Sequence, residues 1–161
     1  MLQSNIEGVQ RVERTLRELG YQHRIVELPD DARTAQAAAD AIGCSPAQIA
    51  KSIIFRREHS GEPLLVVASG TNRVDVRKAG ELVNEPLDKA DADFVREHTG
   101  FVIGGVAPVG HKTPLLTLID EDLLKFKTIW AAAGHPKAVF QLTPAELAAM
   151  TKGQVVNVRQ D

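Results

Sequence analysis

Two stretches of the chain hold residue types suited to chemistry. Lys51 sits inside the apolar run Ile49-Ala50-Lys51-Ser52-Ile53-Ile54-Phe55. Far along the sequence, Val102-Ile103-Gly104-Gly105-Val106-Ala107-Pro108-Val109-Gly110-His111 places three glycines and a proline within seven positions. A glycine-rich turn leaves backbone N–H groups unshielded, and those donors can grip an oxyanion, a phosphate or a water. Lysine is a compact cation that binds phosphate as a point charge. Together they predict a pocket for a small substrate carrying a phosphate. Each has an ordinary alternative: a lysine on an apolar strand snorkels to water, and a glycine-rich segment between strands is a turn.

The remaining candidates are weaker. Five histidines, His23, His59, His98, His111 and His135, show neither H-x-x-x-H nor H-E-x-x-H spacing, so no metal site is expected. His111 and His135 each follow a glycine near a strand end, where pocket residues collect, although a turn histidine is the commoner case. Cys44 is the one cysteine; it has no neighbouring His/Asp pattern and reads as a spectator thiol. Arg11, Arg14 and Arg17 are interspersed with Glu13 and Glu18, which reads as a solvated helix face.

The elements that must position Lys51 and the glycine loop follow from periodicity and caps. Ser4 and Glu7 form a capping box, and Ile6, Val9, Val12, Leu16 and Leu19 continue as a helix to Gly20. Tyr21 to Leu28 alternates as a strand ended by Asp30-Asp31. Thr34 caps an alanine-rich helix that stops at Gly43, and Ser45-Pro46-Ala47-Gln48 opens a short helix leading straight into the Lys51 strand. Ser52 to Arg57 and Pro63 to Ser69 form a hairpin, Val74 to Val76 is extended, and helices cover Lys78 to Val83 and Asp91 to His98, the latter ended by Gly100. Phe101 to Gly105, Leu115 to Asp120, Thr128 to Ala133 and Ala138 to Leu142 are strands. Thr143-Pro144-Ala145-Glu146 caps a final helix to Thr151, and Val155 to Val158 is a terminal strand. Many strands between helices favour a mixed sheet or barrel with helices outside over regular βαβ alternation, and no G-x-G-x-x-G opens a helix.

Composition narrows the function classes. The 161 residues are expected to form one domain. A formal charge of −2 argues against a duplex-DNA binder, but it allows contact with a phosphate or two at a nucleic-acid end. No basic region precedes an apolar h-region, and no apolar run reaches membrane-spanning length. A soluble cytoplasmic protein without membrane contact is expected.

In chain order, several pieces resemble the YbaK/prolyl-tRNA-synthetase editing-domain family. They are Thr34 with its alanine-rich helix, Gln48 to Phe55, Val74 to Val76, Gly100 to His111, Ile119 to Leu123, Ala133-Gly134-His135 and Leu142 to Leu147. The pairing of Lys51 with the G-x-x-x-P run Gly104 to Pro108 is the most specific part. The resemblance covers the chain from Tyr21 onward.

It implies an α+β fold with a six-stranded, mixed, barrel-like sheet, and hydrolysis of the ester joining a wrong amino acid to tRNA. By the resemblance, Lys51 holds a 3′-terminal phosphate, and Gly104 and Gly105 handle the ester. Ser52, Val106, Ala107, Pro108, Gly110, His111, Gly134 and His135 then line the substrate. No cofactor or metal is implied. The partner is the 3′ aminoacyl end of a mischarged tRNA, tRNA-Pro carrying Cys, Ser, Thr or Ala, with a synthetase as a further partner. Ser52 stands where alanine-specific relatives tend to carry asparagine. A non-catalytic tRNA- or nucleotide-binding module and a regulatory nucleic-acid-binding protein remain the rival classes.

Overall fold

The computed structural model describes residues 7–29 and 33–161. The Ser4 capping box, Ile6 and the Asp30-Asp31 strand end lie outside the described residues. Helix α1 spans Glu7–Glu18 and buries Val9, Val12 and Leu16. Gly20 stops it at φ +89°, and Tyr21 N–H donates to the Leu16 carbonyl at 2.8 Å. Leu19 lies past the last helical residue and is half exposed. Arg11 corrects the reading of a solvated stripe: its guanidinium lies 4.6 Å over the Phe101 ring and donates to the Gly100 carbonyl.

Strand β1 is only Ile25–Glu27, because that is the length paired with β7. Residues 21–24 are held by side chains instead. His23 sits edge-on to Tyr21 and Phe140, with its Nε2 3.1 Å from a Glu146 carboxylate oxygen. Helix α2, Ala35–Ile42, has the Thr34 cap and the left-handed Gly43 stop that the sequence predicts. The Ser45–Gln48 capping box closes a single 3-10 turn, Pro46–Gln48, leading directly into β2, Ile49–Arg57. Strand β3, Pro63–Ser69, pairs antiparallel with β2 from Ala50↔Ser69 to Arg56↔Pro63.

Helix α3, Val76–Val83, starts two residues earlier than the sequence suggests, because the Asp75 carboxylate accepts from Arg77 and Lys78 N–H and caps it there. Strand β4, Leu87–Lys89, is an addition to the expected elements, since its residues carry no alternating pattern. Helix α4 is Ala92–Thr99. The expected strand Phe101 to Gly105 is instead part of a loop of turns reaching Leu115. Its backbone bonds to itself, Gly105 N–H to the Val102 carbonyl at 3.0 Å, and it pairs with no strand of the sheet. Strand β5 (Leu116–Asp120), β6 (Ile129–His135), β7 (Ala138–Leu142), helix α5 (Pro144–Thr151) and β8 (Gln154–Val156) complete the chain. Strand β6 runs two residues beyond expectation, with an irregularity between Ala132 and His135.

The sheet also differs from the expected six-stranded, barrel-like form. Eight strands run in the order β1-β7-β6-β2-β3-β5-β8, with β4 added to β2, so β1 and β8 end an open mixed sheet. Five α-helices cover it among the described residues. Residues of one parity on the strands, such as Ile54, Val67, Ile119 and Phe140, pack with α1, α4, α5 and the glycine loop. The opposite parity, Phe55, Val66, Ala68 and Leu118, packs with Ala79 of α3, Val74 and Val158. Alternating side chains of a strand face opposite ways, so both sheet faces carry a core. No helix among the described residues is long and apolar enough to cross a membrane.

Candidate functional site

Strand β2 is shared unequally between two neighbours on its outer edge. Strand β6 pairs parallel with it only at Ile49↔Trp130 and Ala50↔Ala131. Strand β4 pairs with it only at Phe55↔Lys89, Arg56↔Asp88 and Arg57↔Leu87. Between these ladders, residues 51–54 have no strand partner on that side. A cavity of about 500 Å³ opens at this gap, with α2 and the glycine loop closing its sides.

The strand divides the cavity wall by parity. Lys51 and Ile53 face the α2 side with Ile49 and Trp130, while Ser52 and Ile54 face the α4 side with Val95 and Val106. Lys51 is half-buried, and its ammonium makes no hydrogen bond or ion pair with a described residue. Burial pushes its pKa down, the Arg73 charge adds to that, and Asp120 opposes both. Asp120 lies one residue beyond the Val67↔Ile119 pair, so it shares a sheet face with Ala68 and Lys51. Its fully buried carboxylate accepts from Ser69 N–H at 3.0 Å, Asn72 Nδ2 at 2.8 Å and Asp122 N–H at 2.9 Å. Those donors stabilise a buried negative charge two strands from the lysine. The Ser52 hydroxyl oxygen is buried and has no hydrogen-bond partner.

The glycine loop is split between two duties. Gly104 has φ +90° and lines the cavity, with Arg33 laid across it; a Cβ there would stand 3.0 Å from Arg33 Cγ. Arg33 also donates to the Ile103 carbonyl at 3.3 Å. Val106 lines the α4 side. Gly105 is buried against the His135 backbone, 2.9 Å from where a Cβ would sit. Its N–H is already spent on the Val102 carbonyl, so this donor is turned away from the cavity.

From Ala107 onward the loop belongs to the core. Ala107, Pro108 and Val109 are buried, and His111 Nε2 donates to the Ala107 carbonyl at 2.7 Å. Burial is the main cause pushing the His111 pKa down to about 4, with Arg11 adding to it, so the ring is neutral. Gly110 passes α1 with φ +86°. Gly134 meets Gly8 of α1 backbone to backbone: a Cβ on Gly134 would lie 2.5 Å from the Gly8 carbonyl carbon and oxygen. His135 Nδ1 accepts from Lys137 N–H at 3.0 Å.

The cavity thus gathers Lys51, Ser52, Gly104 and Val106, whereas Gly105, Ala107, Pro108, Gly110, His111, Gly134 and His135 do not line it. It adds residues that the sequence reading did not single out, chiefly Trp130, Ile54, Val95 and Arg33. Trp130 is the one tryptophan and lies within an expected strand, but nothing in the sequence aligns it with Ile49. Among the described residues, no group of three His, Cys, Asp or Glu side chains converges as a metal site.

Known proteins resemble this chain in sequence and in fold. Residues 29–150 match the model of the aminoacyl-tRNA editing domain family. Uncharacterized protein YwhH of Bacillus subtilis (strain 168) is 32% identical over 131 residues, covering 81% of this chain and 83% of that protein. A protein of Enterococcus faecalis (strain ATCC 700802 / V583) named "Putative Cys-tRNA(Pro)/Cys-tRNA(Cys) deacylase EbsC" is 23% identical, covering 80% of this chain and 79% of its own. A crystal structure described as "a putative trans-editing enzyme for prolyl tRNA synthetase" superposes with a TM-score of 0.91 at 46% identity, covering 96% of this chain and 98% of that one. The chain belongs to the aminoacyl-tRNA editing domain family.

Proposed function

We propose that this protein is a trans-editing aminoacyl-tRNA deacylase that hydrolyses the ester of a mischarged tRNA. Its substrate in this reading is tRNA-Pro bearing a small amino acid such as Cys, Ser, Thr or Ala. The observation that carries the reading is the unpaired, half-buried Lys51 ammonium in a largely apolar cavity bounded by the Gly104 turn. A desolvated cation without an internal partner favours an anion brought by the ligand, and the 3′ end of tRNA offers a phosphate. The relatives named for deacylation and for trans-editing support the same class.

The chemistry asks little of side chains. An aminoacyl ester is already activated, so placing it beside a water supplies much of the acceleration. The water oxygen bonds to the carbonyl carbon, the bond to the ribose oxygen breaks, and that oxygen leaves with a proton from the water. Lys51 anchors the phosphate, and the loop at Gly104 walls the ester. Ser52 and Val106 bound the space for the amino-acid side chain, which suits small groups. Synthetase sites reject a missing methylene by only ~10–200-fold, so a second, hydrolytic site is worth having. The cytoplasm is where such a tRNA is met.

The test is a deacylation panel of mischarged tRNAs with Lys51→Ala as control. Hydrolysis of at least one ester by the native protein, lost in the folded variant, is the expected result. Equal rates in both would remove Lys51 from the mechanism, and binding without turnover of any ester would favour a non-catalytic module.

A further inference from the structure

The cavity contains a main-chain site that the deacylase reading leaves unused. Arg57 N–H donates to the Glu62 carbonyl on the β3 side of β2, whereas the next residue, Glu58, donates to the Pro86 carbonyl on the β4 side. Backbone groups of successive strand residues point to opposite edges. The β2–β3 register is unbroken from Ala50 to Arg56. The alternation therefore carries back along the strand, and the N–H and C=O of Ser52 point away from β3, into the gap between β6 and β4. Neither neighbouring ladder includes Ser52. Its hydroxyl is buried without a partner as well. One residue thus turns an unpaired donor and acceptor toward a cavity whose other walls are mainly apolar, while its own hydroxyl is buried beside them without a partner. Native proteins rarely leave such groups unmet inside, because each orphan is costly.

We propose that the aminoacyl group of the substrate docks on Ser52 as a one-residue β-bridge. This rests on the deacylase reading and names the contacts that would recognise its substrate. In an antiparallel pair, two facing residues exchange both of their backbone hydrogen bonds. An aminoacyl ester presents the same two groups on one α-carbon, an amine donor and a carbonyl acceptor. The Ser52 C=O accepts from the substrate amine, and the Ser52 N–H donates to the ester carbonyl oxygen, where negative charge develops as water adds. Residues paired across a bridge share a sheet face. The substrate side chain then points with the Ser52 side chain toward Ile54, Val95 and Val106, away from Lys51 and Trp130, which face the nucleotide. Addition to an exposed strand edge is a known mode of peptide recognition; here the added strand is a single residue long.

Two measurements decide it. The first compares the fastest ester of the panel with the same tRNA carrying the des-amino acid, which keeps the ester and side chain but lacks the amine. Losing a hydrogen bond from a charged donor predicts a fall in kcat/KM of about tenfold to hundredfold. The second uses Ser52→Pro and Ser52→Ala. Proline on an unpaired edge removes the N–H that faces the gap without removing a bond to β3; it should lower kcat by about a hundredfold or more, with circular dichroism unchanged. Ser52→Ala removes only the hydroxyl and should keep the penalty for the missing amine. Equal hydrolysis of the amino and des-amino esters, or native turnover by folded Ser52→Pro, overturns the bridge and leaves the deacylase reading standing. If the proline variant does not fold, the ester pair decides alone. Failure to hydrolyse any aminoacyl-tRNA overturns the deacylase reading and the bridge with it.

Discussion

Two halves of one glycine loop are used in opposite ways. Gly104 and Val106 face the cavity beside the unpaired edge of β2, while Ala107 through His111 are folded into the core under α1. In sequence the halves look alike, since both offer glycines at strand-like ends and the second offers a histidine. The difference lies in what each approaches. Gly104 meets the stem of a flexible arginine, a neighbour that can yield. Gly105, Gly110 and Gly134 meet backbone or packed side chains. Gly104 leaves room for a ligand, whereas Gly105 and Gly110 of the loop and Gly134 of β6 let protein segments touch.

The largest effect should come from a packed glycine outside the loop, Gly134 of β6. Gly134→Val sets a β-branched side chain at φ +95° against the Gly8 backbone, and should cost about 4 kcal/mol. Gly104→Ala should cost only about 1–2 kcal/mol for its positive φ, because the Arg33 stem can shift. Urea melts of the two variants measure that contrast, and equal losses would dissolve it.

His111 sharpens the same point through pH. Its folded pKa is about 4 against an ordinary 6.5, so the unfolded chain takes up this proton first. The contribution of the neutral ring is complete above the unfolded value and is lost as the pH falls from about 6.5 toward 4; it amounts to at most about 3 kcal/mol. Denaturant midpoints between pH 7.5 and 4.5 should fall less steeply in His111→Asn. An unchanged slope would mean that the ring is not buried neutral.

On the cavity side, Lys51→Ala should reduce deacylation about a hundredfold, the worth of a hydrogen bond to a charged group, while leaving the melting temperature nearly unchanged. A drop in melting temperature comparable to that of Gly134→Val would make Lys51 structural. The mildest effect is on ligand pH dependence. Burial lowers the Lys51 pKa, and a bound phosphate favours the charged form. Affinity for adenosine 5′-monophosphate should therefore weaken as the pH rises through that lowered value, by no more than about tenfold per unit. Lys51→Arg, which stays protonated, should flatten the curve, and titration by the fluorescence of Trp130 reads both.

Local signals located most elements because their causes are local. The Thr34, Asp91 and Thr143 caps, the Ser45–Gln48 box and the left-handed Gly43 and Gly100 stops all bond within a few residues of themselves. The β2–β3 hairpin follows from its short polar turn. Misses occurred where a partner from far along the chain decides. Phe101 to Gly105 has strand-like residues but folds into turns and pairs with no strand, and β4 lacks a strand pattern yet has the outer end of β2 beside it. Of the site, Lys51, Ser52, Gly104 and Val106 were legible as residue types in an apolar or glycine-rich setting. Trp130 and Arg33 were not, since their relation to Lys51 depends on register and loop closure.

The sequence by itself determined the caps, the hairpin, the apolar strand around Lys51 and the pliant backbone of the glycine loop, because short-range sterics and hydrogen bonds set these. Tertiary structure alone decided which side of that loop meets solvent and which meets α1. It alone left the outer edge of β2 at residues 51–54 without a strand partner, since β6 departs after Ala50 and β4 arrives only at Phe55. A vacancy between two strands is a property of their divergence, and no single stretch of chain contains it.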